Sequence, residues 1–162
     1  MRHQVGKDKK DKMELVNAFM GAEGFLDNDS FAPFTLDDFV PEHQNTSAQL
    51  STVGAREARD TLLFRASQRG RLDIAHILID QLRIDPNQAN INGETPLWMA
   101  SSRGHVEVVA LLLARGANVN QAETYLGATS LVVASRQGHV DVVELLLAKG
   151  ANVNQAKTSD GA

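Results

Sequence analysis

A block of amino acids recurs at a spacing of 34 residues through the second half of this chain, and no other feature limits the fold as tightly. Residues Ala100 to Ala128 and Ala134 to Ala162 agree at roughly 21 of 29 aligned positions, which establishes the period. The best-defined copy, Gly93 to Asn120, contains two short helical patterns with a tight turn between them. Thr95 offers a side-chain oxygen to cap a helix, and Pro96 follows at the first helical position, where a missing N–H costs nothing. Gly104 provides a break that tolerates left-handed backbone. Val106, Val109, Leu112 and Leu113 share one face at helical spacing, and Gly116 stops the second helix before the polar Asn118 to Asn120. A helix pair this short cannot bury its own apolar face, so it needs a copy of itself on each side.

The copies are present. One runs Thr129-Ser130-Leu131-Val132-Val133-Ala134, then Gly138-His139-Val140, Leu145-Leu146-Leu147 and Gly150 to Asn154. A weaker one starts at Thr61-Leu62-Leu63-Phe64-Arg65-Ala66 and ends in Leu82 to Asn87, one residue longer than Gly116 to Asn120. The Thr-Pro-Leu-x-x-Ala opening, Gly-His turn, paired leucines and Gly-Ala ending resemble the ankyrin repeat, over residues 56 to 157. The resemblance implies an all-α solenoid of helix-turn-helix units with short hairpin-like loops. Its repeats span about 56–89, 90–123 and 124–157, within a unit of residues 51–162 that ends in the start of a truncated fourth. In the family a histidine usually follows Thr-Pro-Leu and hydrogen-bonds between repeats; here Phe64, Trp98 and Val132 stand there, so apolar packing is expected to replace that bond. The 34-residue step implies one extra residue in the loop before the hairpin tip.

Residues 1–50 form a separate arm. Lys7, Lys9, Lys10 and Lys12 near its start read as a solvated tail or as a nuclear-import signal. Met13, Val16, Phe19 and Met20 predict a short helix over Lys12 to Met20. From Met13 to Glu42 the chain holds acidic residues and no Lys or Arg, together with Phe19, Phe25, Phe31, Phe34 and Phe39. Two readings follow: a flexible segment that folds on a partner, or rings that cover the exposed face of the first repeat.

Composition and motifs exclude most chemistry. A net charge of −4 argues against general nucleic-acid binding, and no run is long and apolar enough for a bilayer. No signal peptide is visible, and the absence of cysteine fits an intracellular protein, cytoplasmic or nuclear. His105 and His139 occupy equivalent places in successive repeats, so a structural role is expected instead of a metal site. There is no phosphate-cradling loop or nucleophile elbow, and Asp37 and Asp38 sit where nothing would shift their pKa values. The expectation is a non-enzyme with no catalytic, cofactor-binding or metal-ligating residues and no cofactor.

What remains is a surface. The resemblance implies a concave face of hairpin tips and first helices that binds a protein partner. Its variable positions fall on Ile91, Asn92 and Glu94 at one tip, on Tyr125 and Leu126 at the next, and on Ser102, Arg103 and Arg115. Arg69, Arg136, Gln137 and Lys149 complete the set, with Arg69, Arg103 and Arg136 forming a basic row. Residues Asp27 to Glu42 are expected to dock on that row and mask it. The helix faces bearing Val143, Leu146 and Leu147 lack a following repeat, which points to a fragment of a longer array or to self-association through the uncapped C-terminal repeat. The alternative function is a structural spacer, or part of a longer array whose activity lies in another domain.

Overall fold

The computed structural model describes residues 2–22 and 62–155, and all of its regular structure is helical. The start of the first repeat, Phe25 to Phe39 and the expected fourth hairpin lie outside the described residues. Helix α1 is Arg2–Ala22 and α2 covers residues 62–68. The remaining helices are α3 Leu72–Asp80, α4 Pro96–Arg103, α5 Val106–Ala114, α6 Ser130–Gln137 and α7 Val140–Ala148. Each repeat thus contributes an inner helix (α2, α4, α6) and an outer helix (α3, α5, α7). The inner helices α4 and α6 pack side by side, and the outer row runs α3, α5, α7.

The local signals behave as their chemistry dictates. Thr95 Oγ1 accepts a hydrogen bond from the Trp98 N–H at 3.1 Å, and Thr129 Oγ1 accepts one from Val132 at 3.4 Å. Pro96 occupies the first turn of α4. Gly104 and Gly138 end α4 and α6 in left-handed backbone, with φ of 74° and 76°. That conformation turns the chain straight into the next helix two residues later.

The apolar faces lock into one cluster. Leu62, Leu63, Ile74, Leu78, Leu97, Val108, Val109, Leu112, Val142 and Leu146 are fully buried, and they come from all three repeats. Burying a side chain of this size contributes about 1.5–3 kcal/mol, so the stack rests on shared burial between neighbours. Phe64, Trp98 and Val132 are half-buried at the inner seam.

Polar links between repeats lie elsewhere. The His105 ring rests on Gly70 and its Nε2 is 3.1 Å from the Gln68 carbonyl oxygen. His139 repeats the arrangement on Gly104 and Ser102, also at 3.1 Å. A carbonyl only accepts, so Nε2 carries the proton in both rings. Each histidine therefore fastens its repeat to the turn of the repeat before it. Asparagines add a second ladder: the Asn118 N–H donates to Asn87 Oδ1 at 2.7 Å, and the Asn152 N–H donates to Asn120 Oδ1 at 2.8 Å. Asn87 and Asn120 mark the same structural position, yet Thr95 follows the first by eight residues and Thr129 follows the second by nine. The third loop contains one extra residue, and it lies within the tip between Glu123 and Ala128, not before it as expected.

The first repeat is closed by α1, which extends the outer row by packing on α3. Val16 and Phe19 are buried in the common core, with Met13 against it, so these three share one face. The helix is longer than the expected Lys12 to Met20, and exposed pairs such as Lys12–Asp8 at 3.0 Å support it ahead of its apolar face. The guanidinium of Arg71 lies over the Phe19 ring, 5.7 Å from its centre.

Gly104 and Gly138 give a direct test of the stacking. Both have the same positive φ, so an alanine at either carries the same backbone strain, about 1–2 kcal/mol. A Cβ at Gly104 would also stand 2.6 Å from Nδ1 of His139, whereas at Gly138 it would meet nothing within 4 Å. Gly104→Ala should lower the urea midpoint clearly more than Gly138→Ala; equal losses would mean the histidine seat does not hold the repeats together.

Candidate protein-binding surface

The hairpin tips are built by side chains that satisfy the backbone. At the second repeat Asn90 Oδ1 accepts from the amides of Asn92 at 2.9 Å and Glu94 at 3.0 Å, and its Nδ2 donates to Glu94 Oε2 at 2.7 Å. At the third, the buried carboxylate of Glu123 accepts from the amides of Tyr125 and Leu126, both at 2.6 Å, and of Ala128 at 3.1 Å. Burial works to raise the pKa of Glu123, but these three amides outweigh it and hold the carboxyl below its ordinary value. The tips are joined where the Thr124 N–H and Oγ1 both donate to the Asn92 carbonyl, at 2.9 and 2.8 Å.

These turns hold apolar side chains out into water. Ile91 is 99% exposed and Tyr125 83% exposed, with Leu126 beside it at 39%. None of the three packs in the core, so folding gives no reason for them. The link between Asn92 and Thr124 sets the two tips side by side, each with its own exposed apolar side chains.

The remaining expected residues fall in two other places. Arg69, Arg103, Arg136 and Gln137 are exposed at the ends of the inner helices, and Ser102 is half-buried there with its carbonyl bound to His139. The histidine contacts set the register: Gln68, Ser102 and Arg136 are equivalent, as are Arg69, Arg103 and Gln137. Arg136 thus stands one position before the other two arginines, and the basic row is offset at its last member. Arg115 and Lys149 sit at the ends of the outer helices. Arg115 is engaged across the repeat boundary, donating to both oxygens of Asp80 at 2.7 and 2.9 Å. His76 Nδ1 lies 3.1 Å from the same carboxylate. The arginine beside it, with the histidine, brings the Asp80 carboxyl from 3.8 down to about 2.

Reading the sequence alone missed Glu123, Asn90 and Asp80, which bind backbone amides or a residue one repeat away. It also placed Leu146 on the open face of the last repeat. Leu146 is fully buried inside its own repeat; the exposed positions there are Val140, Leu147 and Val153, with Val143 half-buried. Among the described residues no group of three or more acidic or imidazole side chains could hold a metal, and no helix is long and apolar enough to cross a membrane.

The sequence model for ankyrin repeats matches residues 63–157 in 3 copies, more than half of the chain. No curated protein matches it.

Two measurements probe this surface. Glu123→Gln should speed hydrogen exchange at the amides of Tyr125, Leu126 and Ala128 while leaving those of α4 unchanged. An unaltered pattern would mean that hairpin pairing, not the carboxylate, shapes the tip. Asp80→Asn should lower the urea midpoint at neutral pH. Because the folded-state pKa is depressed, the contribution of Asp80 is present above about pH 4 and is lost as pH falls towards 2. The midpoints of variant and parent should therefore converge on acidification. The gap should be modest and salt-sensitive, since the pair is about one-third exposed.

Proposed function

The chain belongs to the ankyrin-repeat family, and from that premise we propose that it binds a protein partner along the concave side of the stack, with the hairpin tips as anchors. Ankyrin repeats are protein–protein interaction modules in general, and the family is typically non-enzymatic. The observation that carries the finer reading is the exposure of Ile91, Tyr125 and Leu126, held out of the core on turns that Asn90 and Glu123 hydrogen-bond in place. Exposed aromatic residues on preorganised turns are common anchors of protein interfaces, because little freedom remains to be lost on binding. Arg103 and Arg136, exposed in the last turns of the inner helices, add positive charge and favour an acidic partner. No cofactor, nucleic acid or membrane enters this reading, and its setting is the cell interior.

The acidic, Phe-containing segment Asp27 to Glu42 is the proposed mask. It carries the charge and the rings that such a surface would select, and it is joined to the first repeat. Self-association through the third repeat is a second proposed property, favoured by the exposure of Val140 and Leu147. A spacer role would leave these exposed apolar tips unused.

A photo-crosslinking amino acid at position 125 tests the reading, with the same group at Glu107 on the outer helices as control. Discrete adducts at 125 and none at 107 are expected, abolished by Arg136→Ala beside the probe. Deleting residues 1–45 would also strip Val16 and Phe19 from the core, so the mask is tested by Phe31→Ser, Phe34→Ser and Phe39→Ser together. Adduct yield at 125 should rise in that variant. Equal labelling from 125 and 107 would remove the surface reading.

A further inference from the structure

We propose that Asn92 is a site of spontaneous deamidation, and that the turn which holds it sets the rate. The reaction converts an amide at the second tip to a carboxylate and loosens that tip's link to the third.

Asn92 differs from the other asparagines of the chain. It is followed by glycine, whereas every other asparagine precedes a residue with a side chain. Asparagine is a thermolabile residue because the next backbone nitrogen can attack its side-chain carbonyl. With no Cβ on Gly93, that approach is least hindered at Asn92. Asn92 is also exposed, and among the described residues no hydrogen bond holds its side-chain amide. By contrast Asn87, Asn90, Asn118, Asn120 and Asn152 each commit the side-chain oxygen to a backbone amide.

The fold resists exchanging this glycine for a safer residue. Gly93 has a φ of 76°, a left-handed backbone that strains residues with a Cβ. A Cβ there would stand 2.8 Å from both the backbone nitrogen and Cγ2 of Thr124. The close approach of the second and third tips thus requires the residue that makes Asn92 labile.

The chemistry needs only water. The Gly93 nitrogen loses its proton and bonds to Cγ of Asn92, while the Cγ–Nδ2 bond breaks and Nδ2 leaves as ammonia. Water then opens the cyclic imide at either carbonyl. One opening yields aspartate; the other yields isoaspartate, whose main chain runs through Cβ and Cγ. In isoaspartate the former main-chain carbonyl becomes a pendant carboxylate. That carbonyl is the one that accepts from the Thr124 N–H and Oγ1, so the link between the tips is displaced from the main chain. A carboxylate at residue 92 also repels an acidic partner, a consequence that rests on the binding reading, whereas the chemistry does not.

A brake is built in. The Gly93 N–H donates to the Asn90 carbonyl at 2.9 Å, so the attacking nitrogen is occupied while the turn is closed. Asn90 Oδ1 keeps it closed by accepting from the amides of Asn92 and Glu94. The rate therefore follows the fraction of time that the turn is open.

Incubation of the full chain at mildly alkaline pH, followed by peptide mapping, reads the rate at each asparagine. Asn92 should react ahead of the others and give both aspartate and isoaspartate. Asn90→Ala should speed the reaction roughly tenfold, the factor expected from losing bonds that close the turn. The parent in denaturing urea makes the same comparison without a substitution, and Asn92 should react faster there than in the folded chain. In the deamidated fraction, separated by its added charge, the Thr124 amide should exchange faster than in fresh protein. Asn92 left intact, equal rates in the folded and unfolded chain, a parent rate in Asn90→Ala, or unchanged Thr124 exchange would each overturn the proposal. None of these outcomes alters labelling from position 125 in fresh protein, so the two readings fail separately.

Discussion

Everything in this molecule depends on apolar surface that no repeat can hide by itself. A pair of helices of eight and nine residues, such as α4 and α5, has too little thickness to enclose Leu97, Val109 and Leu112. The missing cover comes from α3 on one side and α7 on the other. Stability in such an array is a sum of weak units and strong boundaries, and the boundaries decide cooperativity. The burial pattern records this: equivalent positions are enclosed between repeats and bare where no neighbour stands.

The boundaries are not purely apolar. His105 and His139 each send one nitrogen to a carbonyl of the preceding turn, and Asn87 and Asn120 answer backbone groups of the following repeat. These bonds contribute about 1 kcal/mol each in net terms, as a typical intramolecular hydrogen bond does. Their larger effect is directional. Apolar helices can slide along one another at little cost, whereas a ring seated on a glycine and bound to one carbonyl accepts a single register.

The sequence was legible where the physics is local or periodic. Thr95 and Thr129 cap helices whose first turns follow at once, and Gly104 and Gly138 declare their backbone by residue type alone. The 34-residue period made the stack readable without any long-range argument. Illegible were contacts whose acceptor has no identity in the sequence. Nothing in Glu123 marks it as the clamp of a tip, because its partners are main-chain amides. Arg115 stood among the variable contact positions, and nothing in the sequence tied it to Asp80, 35 residues earlier, which holds it. Leu146 was misplaced because adjacent leucines on a helix face different neighbours. Only packing shows which of Leu145, Leu146 and Leu147 turns inward.

The docking of α1 has a consequence for the first repeat. Ala22 ends a helix that is bound to α3. Val16 and Phe19 lie in the same core as Ile74 and Leu78, so α1 and the first repeat share one fate on unfolding. A nick within α1 would therefore loosen that repeat ahead of the other two.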